Sequence, residues 1–285
     1  MNIILSELMQ LTDKSRRLGM SDGYIKNHLR EYLQIFILNY IYANSKLCDD
    51  VIFTGGTCLR HLYDLPRLSD DLDFDVIGKL STKEFAEGLL NYFNVTHLWK
   101  EVTVSVKQMD RQVLVKFPCL RAVGLAGMND SDLLYVKIDF NRDVAKGYNC
   151  VVTVKSGYGM SYAIKHYDLP SLFAGKISAV LTRRRLWGEE NVKTIKGRDY
   201  FDLLWFLQQK IKPNMKRLSD ILKKKITEEE LIKLLDQKVD ELVTKYPSDL
   251  KRDLGPFLQN PNLIKKYIDK YKDSYDDAKQ YLSNA

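Results

Sequence analysis

The amino-acid sequence predicts an α+β chain, in which a half built on a mixed β-sheet with flanking helices is followed by an all-helical half. Three observations carry this expectation. Between Glu101 and Phe140, apolar and polar residues alternate in VTVSV, QVLVKF and LLYVKIDF, the period-two pattern of half-buried strands. From Pro170 onward, apolar residues instead recur every three or four positions, as on a helix face. No internal repeat or low-complexity linker lies between the two regimes. The boundary is placed between an N-terminal domain, residues 1–165, and a C-terminal helical domain, residues 166–285.

In chain order, Ile25, Leu29, Leu33, Phe36 and Tyr40 space an amphipathic helix from Ser21 to about Ser45, with Ser21 and Asp22 available as caps. VIFT is a strand stopped by Gly55 and Gly56, after which Leu59 and Leu62 resume helical spacing. A short strand, LDFDV, follows the SDD turn, and Ser81 with Glu84 makes a capping box for a helix through about Phe93. Hairpins best accommodate the three alternating runs that come next, and VVTVKS is the last strand before a Gly-rich GYGM loop. Pro170 suits the first turn of a helix whose face is Phe173, Ile177, Val180 and Leu181. Thr227 and three glutamates start another helix, Pro247 and Pro256 interrupt, and the tail keeps helical spacing between many charges.

Composition narrows the class. A chain of 285 residues, 45% hydrophobic with 3 Trp, 17 Tyr and 11 Phe, can bury one substantial core or two modest ones. No run approaches the roughly 18 consecutive apolar residues of a membrane helix. The start, MNIILSELMQLTDKSRR, lacks the charge-first order of a signal peptide, so a cytoplasmic protein without membrane contact is expected. Cys48, Cys58, Cys119 and Cys150 stand far apart and form no zinc-ligand spacing, so reduced, mostly buried thiols are expected. The formal net charge of +7 favours an anionic partner without choosing between a phosphorylated small molecule and nucleic acid.

The residues from Gly55 to Asp75, GGTCLRHLYDLPRLSDDLDFD, carry the chemistry. Asp71 and Asp73 are two apart on a predicted strand, so they project to one side and can grip the same ions; Asp139 in YVKIDF is a third acidic candidate on another strand. Oxygen ligands of this kind suit Mg²⁺ or Mn²⁺. Gly55 and Gly56 open a helix where missing Cβ atoms let backbone amides approach a phosphate, Thr57 adds a hydroxyl, and Arg67 and Ser69 offer further donors to a triphosphate. A Gly-Gly turn or a DxD strand taken alone is more often structural. Their succession favours a site for metal and NTP. Asp75 shares the side of the acidic pair as a reserve ligand, with a solvated strand end as its blander role, while Cys58, His61 and His166 stay outside the catalytic set. The segment RRRLW, Arg183 to Trp187, with Lys193, Lys196 and Arg198, would either track an RNA backbone or form a solvated face. Lys223 to Lys225, Lys265 and Lys266 read as solvated.

The motifs GGTxL, here Gly55, Gly56, Thr57 and Leu59, and RxSxDLDF, here Arg67, Ser69, Asp71, Leu72, Asp73 and Phe74, resemble those of the AbiEii-like nucleotidyltransferase toxins. KxxA at Lys176 to Ala179 and RDxxDL at Arg198, Asp199, Asp202 and Leu203 follow in the family's order, so the resemblance covers roughly Val51 to Leu204. It implies a polymerase-β-like nucleotidyltransferase core. Asp71, Asp73 and Asp139 would bind metal, and Lys176 and Asp199 would complete the nucleotide site, with Arg198 and Asp202 assisting. It further implies a toxin of toxin–antitoxin or phage-defence operons that transfers a nucleotide, often a pyrimidine, to the acceptor end of tRNA, opposed by an antitoxin from the same operon. The residues leave other outcomes open: nucleotidylation or phosphorylation of a protein or of the chain itself, with Ser69 as a conceivable acceptor, or GTP binding without turnover.

Overall fold

A computed structural model describes residues 2–183, 185–187, 192–260 and 263–283. The chain divides into two compact units, Met1–Val144 with Val151–His166, and Ala145–Cys150 with Tyr167–Ala285.

The first unit opens with α1 (Ile3–Arg17) and α2 (Asp22–Tyr42). The sequence expectation passed over α1, although the Asn2 side chain accepts hydrogen bonds from the amides of Ile4 and Leu5 and Ile4 and Leu8 are buried. Ser21 caps α2 as expected. Then come β1 (Val51–Thr54), α3 (Gly55–Tyr63), β2 (Asp71–Val76) and α4 (Thr82–Asn91). They are followed by β3 (Thr103–Lys107), β4 (Gln112–Pro118), β5 (Leu133–Asn141), β6 (Cys150–Gly157) and β7 (Met160–Tyr167).

The seven strands form one mixed sheet in the order β3-β4-β5-β2-β1-β7-β6. The runs from Thr103 to Asn141 are antiparallel neighbours, as hairpin patterning predicts. β2 then inserts parallel to β5 and antiparallel to β1, which puts two acidic strands side by side at the centre. The sequence pattern places its last strand at VVTVKS and does not predict β7. Tyr158 and Gly159 both hold positive φ, 52° and 74°, and close a tight β6–β7 turn that GYGM disguises because the first of these two central residues is Tyr, not Asn, Asp or Gly. One sheet face is packed with aromatics: Phe53, Phe74 and Phe140 follow one another at 5.2 and 5.9 Å, and Phe85 of α4 meets Phe140 edge-on at 5.0 Å. Strand alternation turns Asp71, Asp73, Lys137 and Asp139 to the other face.

The second unit is helical apart from the short pair β8 (Arg185–Trp187) and β9 (Val192–Thr194). Its helices are α5 (Leu169–Thr182), α6 (Gly197–Gln208), α7 (Met215–Leu222), α8 (Glu228–Lys245), α9 (Pro247–Leu254), α10 (Ile264–Asp269) and α11 (Tyr271–Ser283). Asp168 caps α5 with Pro170 in its first turn, and Thr227 with Glu230 forms a full capping box on α8. Phe173 of α5 stacks on Phe206 of α6 at 4.5 Å, and Tyr271 of α11 donates a 2.7 Å hydrogen bond to the Tyr200 carbonyl. Among the described residues, no helix is long and apolar enough to cross a membrane.

Candidate active site

In the first unit the central strands build the site. Register pairs Thr54 with Asp73 across β1 and β2, Asp73 with Asp139 and Asp71 with Lys137 across β2 and β5, and Asp139 with Gln112 across β5 and β4. Buried Leu72 and Phe74 on the opposite face pin β2, so the carboxylates cannot slip without exposing the core. Lys137 lies between two of them, its Nζ 2.9 Å from Asp71 Oδ2 and 3.1 Å from Asp139 Oδ2. Burial works against that charge, but the hydrogen bonds and charges of Asp71 and Asp139 outweigh it and raise the pKa of the ammonium. Gln112 donates a 2.7 Å hydrogen bond from Nε2 to Asp139 Oδ1, which fixes the carboxylate's rotation.

The glycine turn faces the same group. Gly55 holds φ +79°, and a Cβ built there would lie 2.1 Å from Asp73 Oδ2; one on Gly56 would lie 2.8 Å from Arg67 Nη2 and 2.9 Å from Ser69 Oγ. The two glycines therefore make room for the motif residues that follow them, and they open α3, whose N-cap Thr54 makes no side-chain capping hydrogen bond. Arg67 and Ser69 are 3% and 6% exposed, and Arg67 donates to the Leu68 carbonyl at 2.9 Å. Such burial disfavours Ser69 as an acceptor of a transferred group. The Thr57 hydroxyl, offered to a phosphate by sequence, donates to the Asp71 carbonyl and ties α3 to β2. Asp75 is 5% exposed and accepts from Asn141 Nδ2 at 2.8 Å, so it supports the sheet instead of forming a solvated strand end. Gly55→Ala is expected to push the Asp73 carboxylate aside and strain the left-handed turn. Loss should exceed about 1 kcal/mol in urea unfolding, with nucleotide transfer falling more steeply than stability.

Among the described residues, no group of three or more Asp, Glu, His or Cys side chains is arranged as a complete metal cage. Two carboxylates nonetheless converge on one cation, the Lys137 ammonium. Mg²⁺ in phosphoryl-transfer sites commonly takes one or two carboxylates and completes its shell with substrate phosphates and water. The donor set fits that pattern.

His61 and His166 both make side-chain hydrogen bonds within the first unit. His166 is 1% exposed, with Nδ1 3.3 Å from the Tyr63 hydroxyl and Nε2 2.8 Å from Thr153 Oγ1. His61 Nε2 meets Gln34 Oε1 at 3.4 Å, and the Gln34 amide donates to the Ser69 carbonyl at 3.1 Å. Burial pushes the His61 imidazole down to about 4. The unfolded chain, whose imidazole keeps the ordinary histidine value of about 6.5, therefore takes up its proton first. Stability should be complete above about pH 7 and fall as pH drops through 6.5 toward 4, by about 2 kcal/mol given the residual exposure of this ring. His61→Gln should flatten that part of the stability–pH curve, measured by denaturant unfolding at pH 7.5 and pH 5. Cys58 and Cys119 are buried, as expected, whereas Cys48 is intermediate and Cys150 exposed. Burial raises the Cys119 thiol to about 12.

In the second unit the KxxA and RDxxDL residues form a network of their own. Lys176 on α5 sits 2.7 Å from Asp202 Oδ2 and 4.0 Å from Asp199 Oδ1, both on α6, and Arg183 Nη1 holds Asp199 Oδ2 at 2.5 Å. Asp202, 0% exposed, is thus the nearer partner of Lys176. Arg198 lies against Asp253, with a 3.5 Å ion pair, and its guanidinium is 4.0 Å from the Phe257 ring centroid, so this motif arginine anchors α6 to the end of α9 and the segment that follows. Burial, then Arg198, lowers the pKa of Lys196. Of the basic segment, Arg184 and the side chains of 185–193 lie outside the described residues; Arg183 faces Asp199.

Carboxylates on neighbouring strands beside a glycine turn are an arrangement suited to nucleotidyl transfer, and the chain is a nucleotidyltransferase by family. The family model described as nucleotidyl transferase AbiEii toxin, type IV TA system, matches residues 37–281, and the chain belongs to that family. It is accordingly a toxin of a type IV toxin–antitoxin system, with an antitoxin as its implied partner. Among solved structures, it is similar to JHP933 from Helicobacter pylori, at 17% identity over 90% of this chain and 93% of that one, with a TM-score of 0.49. It is also similar to an H. pylori protein provisionally assigned as a nucleotidyltransferase, at 16% identity over 93% of this chain and 98% of that one, with a TM-score of 0.51; this second likeness shows a shared fold. No curated protein matches the sequence.

Proposed function

We propose that the chain transfers a nucleotide, a pyrimidine by family resemblance, from an NTP to an RNA 3′ hydroxyl, with the tRNA acceptor end as substrate, and so blocks translation. The hydroxyl oxygen bonds to the α-phosphorus and pyrophosphate leaves. The observation that carries the reading is the Asp71–Lys137–Asp139 cation site beside Asp73 and Gly55. Asp71, Asp73 and Asp139 would hold Mg²⁺ or Mn²⁺, which when bound neutralises charge developing on the phosphate oxygens. Gly55, Gly56 and Thr57 present backbone amides to the triphosphate, with Arg67 and Ser69 fixing the turn from beneath. Lys176, Asp199, Arg198 and Asp202 serve the nucleotide in this reading, and a role in phage defence belongs to it too.

A basic concavity in the second unit supports a polyanionic acceptor. Lys146, Lys216, Lys223, Lys224 and Lys225 line a cavity of about 510 Å³ together with Gly147, Ser219 and Asp220. Hydrogen bonds from Lys146 N to Asp220 at 2.7 Å, Asn214 to the Gly147 carbonyl at 2.7 Å and Arg217 to the Ala145 carbonyl at 3.0 Å hold the segment against α7. Lys223 to Lys225 read in isolation as a solvated run; the fold gathers them with lysines from two other segments. Lys223→Gln with Lys224→Gln should weaken RNA binding at low salt and lower the slope of log Kd against log salt by about 1–2, because each lost phosphate contact removes counterion release.

Incubation of the protein with each labelled NTP and total tRNA tests the assignment. Label on tRNA with a pyrimidine nucleotide is the expected result. Label on protein alone, or on nothing with any NTP, would sink the RNA reading.

A further inference from the structure

We propose that the Lys137 ammonium is a resident cation of the carboxylate site, held by Asp71 and Asp139, two of the carboxylates that would hold a divalent ion, so that the chain itself supplies one of the positive charges the site needs. The inference rests on reading Asp71, Asp73 and Asp139 as the metal-binding carboxylates.

Register is the first ground. β2 and β5 run parallel with Asp71 opposite Lys137 and Asp73 opposite Asp139, so four side chains form a compact square on one sheet face, three of them carboxylates. Three negative charges on neighbouring strand positions repel one another, and like charges directly opposite destabilise a sheet. A lysine in the fourth corner relieves that repulsion before any ligand arrives.

Geometry is the second. A lysine that only cross-linked two strands would need a single carboxylate. Lys137 instead reaches Asp71 Oδ2 at 2.9 Å and Asp139 Oδ2 at 3.1 Å, bridging the candidate ligands of both strands at once. Gln112 occupies the other oxygen of Asp139, which leaves Oδ2 committed to the cation. The backbone of β5 is pinned by β2 and β4, so only rotation of the lysine side chain could vacate the position.

The consequence concerns metal uptake. With Lys137 in place, a divalent ion must displace it or bind beside it, so the free protein should take up metal weakly and acquire it with the nucleotide's phosphates. Lys137→Gln opens the position and leaves the carboxylates unbalanced. Lys137→Arg keeps the charge.

Mn²⁺ binding to the full chain without nucleotide, followed by the electron paramagnetic resonance of free Mn²⁺, tests this, with thermal unfolding in EDTA and in Mn²⁺ as a second readout. Lys137→Gln should bind Mn²⁺ at least about tenfold more tightly than the unmodified chain, melt lower in EDTA and recover in Mn²⁺. Lys137→Arg should bind as the unmodified chain does. Equal or weaker Mn²⁺ binding by Lys137→Gln would overturn the proposal. Should that variant fail to fold in EDTA, refolding with Mn²⁺ present carries the test: recovery supports a resident cation, and no recovery overturns it. Because nucleotide and RNA are absent, a failure of RNA labelling leaves this measurement standing, and the two readings fail separately.

Discussion

Asp71→Asn is expected to abolish nucleotide transfer, lowering the rate by about 10²–10³-fold or more, while the protein stays folded. The substitution keeps the size of the side chain and removes the charge on which cation binding depends. Asp71 is 26% exposed on the open sheet face, so its charge stabilises the fold little, and the core contributed by Leu72 and Phe74 on the other face is untouched. Label transfer from NTP gives the rate, and circular dichroism with a thermal melt gives the fold. Full activity in a folded variant would remove Asp71 from the site. Asp139→Asn serves as the paired test: its carboxylate is 34% exposed and holds the same ammonium from the neighbouring strand. Both variants should lose transfer and keep their melting profiles, since the two carboxylates act on one cation.

The acidic motif was legible because both its causes are local. Alternation puts Asp71 and Asp73 on one face of a strand, and two glycines stop the strand before them. What sequence could not supply was the neighbour of each side chain across the sheet. Lys137 lies 66 residues beyond Asp71, and Gln112 lies 27 before Asp139; nothing in either segment marks a partner until the strand order places β5 between β2 and β4. The signal for Lys137 was present in KIDF, since a residue two before Asp139 on a strand must share its face. The roles of Arg67 and Thr57 were obscured for a related reason. A donor in a phosphate-binding motif reads as aimed at ligand, but burial under Gly56 and a bond to the Asp71 carbonyl emerge only when α3 folds back on β2. Helix starts with strong caps were readable, Ser21 for α2 and Thr227 for α8, whereas α2 stops at Tyr42, short of the expected Ser45. β7 was hidden because a Tyr-Gly turn carries positive φ at a residue that seldom adopts it.

Asp202→Leu is expected to be the most destabilising of the substitutions considered, at about 3–5 kcal/mol in denaturant unfolding. Its carboxylate is fully buried, and it holds the ammonium of Lys176 at 2.7 Å inside the α5–α6 packing. Removing the acid leaves a charge that is only 14% exposed with a poorer partner, Asp199 at 4.0 Å, which is itself engaged by Arg183. Asp199 can take over part of the load, which places the expected cost toward the lower end of the range. Removing both charges has a different consequence: Lys176→Met with Asp202→Leu replaces an ion pair with apolar groups and should recover part of the loss, with a coupling of about 1–3 kcal/mol between the two sites. The double variant also separates fold from chemistry. If Lys176 serves the nucleotide, restored stability will not restore transfer, and the KM for NTP will stay raised or the rate absent. A double variant that regains both would make the Lys176–Asp202 pair a structural strut of the helical unit and nothing more.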